Sequence, residues 1–122
     1  MIKNNEFTDA INVAKKAYEY GIDAIIVQDL GLAKKLIELF PDLPIHASTQ
    51  MTIYNLDGVL EAEKLGFKRV VLSRELTIDE IKYICDNSNI EIEVFVHGAL
   101  CICYSGQCLL SSMIGGRSRK SW

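Results

Sequence analysis

The sequence predicts an α/β fold in which four short parallel strands alternate with helices, and three observations predict it. Short apolar runs of the kind buried in parallel sheets end at Val27, Ala47 and Leu72, and a fourth strand-like run covers Glu91 to His97; amphipathic helical patterns separate them. The runs recur at roughly 20–25 residues, which leaves room for one helix in each crossover and favours a barrel over a large open sheet. Each run closes on polar residues: Asp29, then His46 to Gln50, then Arg74 and Glu75, then His97. In a (β/α)8 barrel that end of the strands is where functional groups gather. The chain therefore reads as a four-stranded parallel βα-repeat fragment of a TIM-like barrel, about half of one.

The first helix is expected from Phe7 to Tyr20, where Phe7, Ala10, Ile11, Ala14, Ala17 and Tyr18 follow helical spacing, with Thr8 as N-cap and Gly21 as stop. Asp23 to Val27 forms the first strand, and Gln28-Asp29 leads into a second helix from Leu32 to Phe40. Pro41 and Pro44 bracket a turn before the short strand Ile45 to Ala47. A third helix runs from about Leu56 to Leu65 and ends at Gly66; Lys68 to Leu72 forms the third strand. Thr77 to Cys85 forms the fourth helix, with Thr77 and Glu80 spaced as a capping box. Cys85, beside Ile81 and Ile84, reads as a small core hydrophobe. In the fourth strand, Glu91 to His97, alternation places Glu91, Glu93, Phe95 and His97 on one face and Ile92, Val94 and Val96 on the other.

Bulk properties narrow the function. A length of 122 residues with 49% hydrophobic letters suffices for the core of one domain, near the lower end of domain sizes. A formal charge of −3, with both signs mixed along the chain, makes no field that would draw nucleic acid. No apolar run approaches the roughly 18 residues of a membrane span. The N-terminus carries Asn4, Asn5 and Glu6 in place of a signal peptide, so the expected location is cytoplasmic, away from membranes. Four cysteines in that setting favour reduced thiols, metal ligation or redox chemistry over a disulfide framework.

The residues that could carry chemistry cluster late in the chain. After the fourth strand the chain turns at Gly98 and presents Cys101, Cys103 and Cys108 in one irregular segment containing Gly106. Thiolates held this way suit soft metals and iron–sulfur clusters, which usually take four; the alternative is a set of semi-buried thiols without a ligand. Glu93 and His97 share a strand face, where they could move a proton or bind a metal, or simply hydrogen-bond to each other. His46, Ser48, Thr49 and Gln50 fall on the same rim, with Thr49 and Gln50 as hydrogen-bond donors to a substrate. Arg74 suits an anionic substrate because its planar fork matches a carboxylate, or else pairs with Glu75 or Asp29. Two histidines and a carboxylate, His46, His97 and Glu93, are also a conceivable metal set.

The stretch Glu93, Phe95, Gly98, Ala99, Leu100, Cys101, Gly106, Cys108, Leu110 and Ser111 resembles the signature of the peptidase U32 family, also called the collagenase-like protease family. Val27 to Gly31, His46 to Gln50 and Leu72 to Leu76 are similar to further family segments, so the resemblance covers most of the chain. It implies that residues 1–122 are a partial peptidase U32 domain, truncated at both ends, whose exposed sheet edges would self-associate. It implies that Cys101 and Cys108 are two of four ligands of a [4Fe–4S] cluster, the other two lying beyond Trp122. It further implies hydroxylation: relatives insert oxygen into RNA bases, with tRNA or other RNA and prephenate as substrates, or into the ubiquinone ring. Alternatives are a collagenase-like, metal-dependent peptidase and a half-barrel with no activity of its own. On the resemblance Glu93, His97, Arg74 and His46 are candidate catalytic residues, and Asp29, Ser48, Thr49, Gln50 and Glu75 candidate substrate contacts.

Overall fold

The computed structural model describes residues 2–98 and 103–108. Eight elements follow in order: α1 (Phe7–Glu19), β1 (Ile25–Val27), α2 (Leu30–Leu39), β2 (Ile45–Ala47), α3 (Leu56–Leu65), β3 (Arg69–Val71), α4 (Ile78–Asp86) and β4 (Glu91–Glu93), with 3-10 turns at Asn4–Glu6 and Thr49–Met51. The four strands make one sheet in the order β1-β2-β3-β4. Every pairing is parallel. Parallel neighbours need a crossover, and a helix supplies each one.

Alternation sorts the strand residues onto two unlike faces. Val27, Ile45, Ala47, Val70 and Leu72 join Leu36, Val59, Ala62 and Ile84 of the helices in one buried cluster. On the opposite face, Ile26 pairs with His46, His46 with Arg69, and Arg69 with Glu91, a single row across the sheet. Ile26 is 62% exposed there. One face is a core, and the other carries charge.

Local chemistry fixes the element ends. Thr77 and Glu80 form the expected capping box: the Thr77 amide donates to the Glu80 carboxylate at 2.7 Å, and the Glu80 amide to the Thr77 hydroxyl at 3.4 Å. Asn55 caps α3 by accepting from the Gly58 amide at 2.8 Å. Thr8 is not a cap, because the chain enters α1 through the 3-10 turn and Glu6 takes the N-cap position. Helix α2 begins two residues before the expected Leu32, since the Asp29 carboxylate accepts from the Leu32 amide at 2.9 Å.

Strand β4 stops at Glu93, short of the expected His97. The Leu72 amide donates to the Glu93 carbonyl at 2.9 Å, while the next amide, Ser73, faces the other neighbour and donates to the Ile53 carbonyl at 3.0 Å. Cys85 is exposed, a correction to its reading as core. Ile84 already points into the cluster at 2% exposure, and one residue further is a rotation of about 100° around the helix. No helix among the described residues is long and apolar enough to cross a membrane.

Candidate functional site

The polar ends of β2 and β3 converge on the segment that carries the late cysteines. Ser48 caps the turn after β2 by accepting from the Gln50 amide at 3.3 Å. The Thr49 hydroxyl donates to the Leu72 carbonyl at 3.3 Å, tying the end of β2 to the end of β3. Thr52 leaves the turn in a left-handed conformation, φ 60°, and its hydroxyl donates to the Ser105 carbonyl at 2.9 Å. From the β3 side, Arg74 Nη2 donates to the Cys103 carbonyl at 2.9 Å. The Glu75 carboxylate accepts from the Ser105 amide at 2.8 Å and from the Ser105 hydroxyl at 3.2 Å.

Ser105 is 4% exposed and fully used. Its hydroxyl gives its one proton to Glu75 and accepts from the Arg74 backbone amide at 3.3 Å and from Arg74 Nε at 3.4 Å, which fills both lone pairs. Gly106 completes the seat: its φ is +78°, and a Cβ there would stand 2.6 Å from the Gln50 carbonyl oxygen. Burial pushes the Glu75 carboxyl up, but the Ser105 amide, its own backbone amide, the Ser105 hydroxyl and Arg74 together outweigh it and hold the pKa below its ordinary 4.5. A lowered carboxylate pKa contributes stability that is complete above the ordinary value and is lost as pH falls through the lowered one.

A second group lies within the sheet. Arg69 donates from Nε and Nη2 to Glu91 at 2.8 and 2.7 Å, and from Nη1 to Glu93 at 3.1 Å. His46 stands beside it in register. Burial first, then the Arg69 charge, lower the His46 pKa from 6.5, against an opposing pull from Glu91 and Glu93. The neutral imidazole is thereby favoured.

The expected site residues therefore divide. Arg74, Glu75, Ser48 and Thr49 meet at the seat of the cysteine segment; Gln50 is exposed but sets its carbonyl against Gly106. His46 and Glu93 belong to the charged row, where Glu93 serves Arg69. His97 is exposed beyond the end of β4, and Asp29 is a helix cap. Among the described residues no three His, Cys, Asp or Glu side chains are grouped to hold a metal ion, so His46, His97 and Glu93 do not form one metal set. Cys103 and Cys108 are half-buried, and Cys101 lies outside the described residues.

Arg69, Thr52 and Ser105 were not singled out from the sequence. For Arg69 the signal is its strand parity with Glu91 and Glu93; the other two become visible only when their partners do. Beside the seat lies a groove of about 370 Å³, with Leu76, Ile81, Val94 and Phe95 as apolar walls and Ser73 and Arg74 as polar lining. The Ser73 hydroxyl is buried there without a hydrogen-bond partner among the described residues.

Comparison with known proteins places these segments in a family. The chain is 44% identical over 115 residues to the tRNA hydroxylation protein P of Escherichia coli, covering 93% of this chain and 25% of that protein. It is 39% identical over 118 residues to a 23S rRNA 5-hydroxycytidine synthase of the same organism, 97% of this chain and 18% of that one. It is 42% identical over 120 residues to an uncharacterised protease of Methanocaldococcus jannaschii, 94% of this chain and 27% of that one. The chain thus spans about a quarter or less of these two hydroxylation proteins. No solved structure matches it. The sequence pattern of peptidase family U32 matches residues 1–121, and the chain belongs to that family.

Proposed function

We propose that this chain is part of an RNA-hydroxylating protein, with tRNA as the first candidate substrate, and that the seat at the ends of β2 and β3 is part of its site. The observation that carries the reading is the similarity to tRNA and rRNA hydroxylation proteins along nearly the whole chain, including the segments that build the seat. On this reading the protein works where RNA is, in the cytoplasm.

The thiols fit the cluster that the family resemblance implies. Cys103 and Cys108 are half-buried on a segment gripped from two sides, and thiolates on irregular backbone are the donors that iron–sulfur clusters take. Cys101 and Cys108 would be the two of four [4Fe–4S] ligands supplied by this chain. When bound, such a cluster supplies electron transfer that side chains cannot. Prephenate is the proposed co-substrate, and the groove beside Arg74 has the volume of a small-molecule site. The sequential parallel order, with a charged row on the face away from the core, supports a partial U32 domain belonging to a larger (β/α)8 barrel. The outer edges of β1 and β4 are unpaired among the described residues, which supports self-association.

The reading is tested by disrupting the gene in its host and profiling the nucleosides of total tRNA and rRNA by mass spectrometry. One hydroxylated nucleoside is expected to disappear, to return with the intact gene, and not to return with Cys108→Ala. Unchanged nucleosides, together with gelatin cleavage that chelators abolish and Glu93→Gln removes, would replace it with the peptidase reading.

A further inference from the structure

We propose that Glu75, Arg74 and Thr52 are positioning residues that fix the Cys103–Cys108 segment by gripping Ser105, and that Arg74 is not the site's anchor for an anionic substrate. The proposal deepens the reading above in that it assigns what presents Cys108, and it rests on that reading only for what Cys108 then holds.

The segment has no helix or strand of its own between Cys103 and Cys108, only a turn closed by the Gln107 backbone amide donating to the Tyr104 carbonyl at 3.0 Å, so its placement must come from outside contacts. Those contacts concentrate on one residue. Ser105 gives its amide and hydroxyl to Glu75, accepts through its hydroxyl from Arg74, and accepts through its carbonyl from Thr52. Two neighbouring residues at the end of β3 and one after β2 thus satisfy all its polar groups. Hydrogen bonds to charged partners are the stronger kind, and a buried serine stripped of them would leave polar groups unpaired.

The charges themselves face inward. Side-chain exposure is 22% for Arg74 and 31% for Glu75, and the two stand 4.0 Å apart with Ser105 between their arms. Arg74 lines the groove, but its guanidinium is already engaged within the protein, Nη2 donating to the Cys103 carbonyl and Nε to the Ser105 hydroxyl. Thr52 adds a grip from the opposite bank, and the Gln107 side chain donates back to its hydroxyl from Nε2 at 3.4 Å, one residue before Cys108. The polar ends of two strands are shaped to hold a loop, and the loop carries the thiols.

The test is alkylation of the 122-residue chain by iodoacetamide, without metal or cluster, followed cysteine by cysteine by mass spectrometry. Exposed Cys85 on α4 is the internal reference. Glu75→Ala is expected to raise the rates at Cys103 and Cys108 about tenfold and leave Cys85 unchanged. Glu75→Gln keeps an oxygen that can accept from the Ser105 amide, and should bring both rates back to within about threefold of wild type. Cys85, already exposed, corrects for reagent and intrinsic reactivity, and loss of the helical circular-dichroism signal would signal general unfolding; Thr52→Val, a smaller change on the other bank, is then read by the same rates. Unchanged rates at Cys103 and Cys108 in a folded variant would overturn the proposal, as would equal rates for Glu75→Ala and Glu75→Gln. Because no cluster is present, a failure of cluster binding leaves this result standing, and the reverse also holds.

Discussion

Gly106→Ala is expected to unseat the cysteine segment while leaving the α/β core folded. The new methyl would stand 2.6 Å from the Gln50 carbonyl oxygen and 3.0 Å from the Thr52 hydroxyl, and the first of these is backbone that cannot swing aside. The residue would also have to hold φ +78°. A left-handed conformation costs a non-glycine residue about 1–3 kcal/mol, and overpacking of this kind costs about as much again. That total rivals the net worth of the hydrogen bonds gripping Ser105, each about 0.5–3 kcal/mol depending on charge. The hold on the segment is therefore largely offset, and its detached population should rise steeply.

Gly21→Ala provides the control, since Gly21 has nearly the same φ, +77°, with nothing within 4 Å of the added carbon. The two variants share the backbone cost and differ in the collision. Limited proteolysis should cut Gly106→Ala between residues 103 and 108 at least about tenfold faster than either Gly21→Ala or wild type, with little change in melting temperature. Equal susceptibility of the two variants would mean that the seat does not hold the segment.

Leu36→Ala is expected to destabilise the whole fold instead. Leu36 is fully buried in α2, within the cluster beneath the sheet that includes Ile45 and Ala47. Truncation removes apolar contact and leaves a cavity that rigid neighbours fill only in part, for a loss of about 2–5 kcal/mol. In a domain near 100 residues each kcal/mol shifts the melting temperature by about 4–8 °C, so a fall of at least about 8 °C should be seen by circular dichroism. Because β2 leads directly into the Ser48–Thr52 turn, the cysteine segment should loosen in the same transition. A shift under about 3 °C would show that α2 is not the floor of the core.

What could be read from the sequence was what local chemistry decides. The Thr77–Glu80 capping box is written in three-residue spacing, and the bounds of β2 and α3 follow from an apolar run and from a helical pattern that stops at Gly66. The parallel sheet followed from strands alternating with helices. Asp29 was read as a substrate contact although it sits three residues before Leu32, the spacing of a cap; a polar residue at a strand end has both fates open to it.

The remainder depended on register and distant pairing. Arg69 meets Glu91 from 22 residues away, and Glu75 meets Ser105 from 30, so neither partner is fixed until the strands are aligned. The expected grouping of Glu93 with His97 failed for a related reason. Alternation holds only while a strand lasts, and β4 ends at Glu93. Sequence likeness marked His46 to Gln50, Leu72 to Leu76 and the cysteine stretch as three separate matches. Structure gives them a common physical reason, since the first two build the seat in which residues 103–108 of the third rest.

Hydrogen exchange at the Ser105 amide, followed by nuclear magnetic resonance in the unmodified chain, tests that seat most directly. The amide lies in an irregular segment and donates at 2.8 Å to a carboxylate whose pKa is held below 4.5. Exchange is expected to be slowed at least about a hundredfold relative to an unstructured amide, and that protection should persist through the ordinary carboxylate range before it is lost at lower pH. Exchange at the unstructured rate at neutral pH would mean that Glu75 does not hold Ser105, and that the three segments do not form one site.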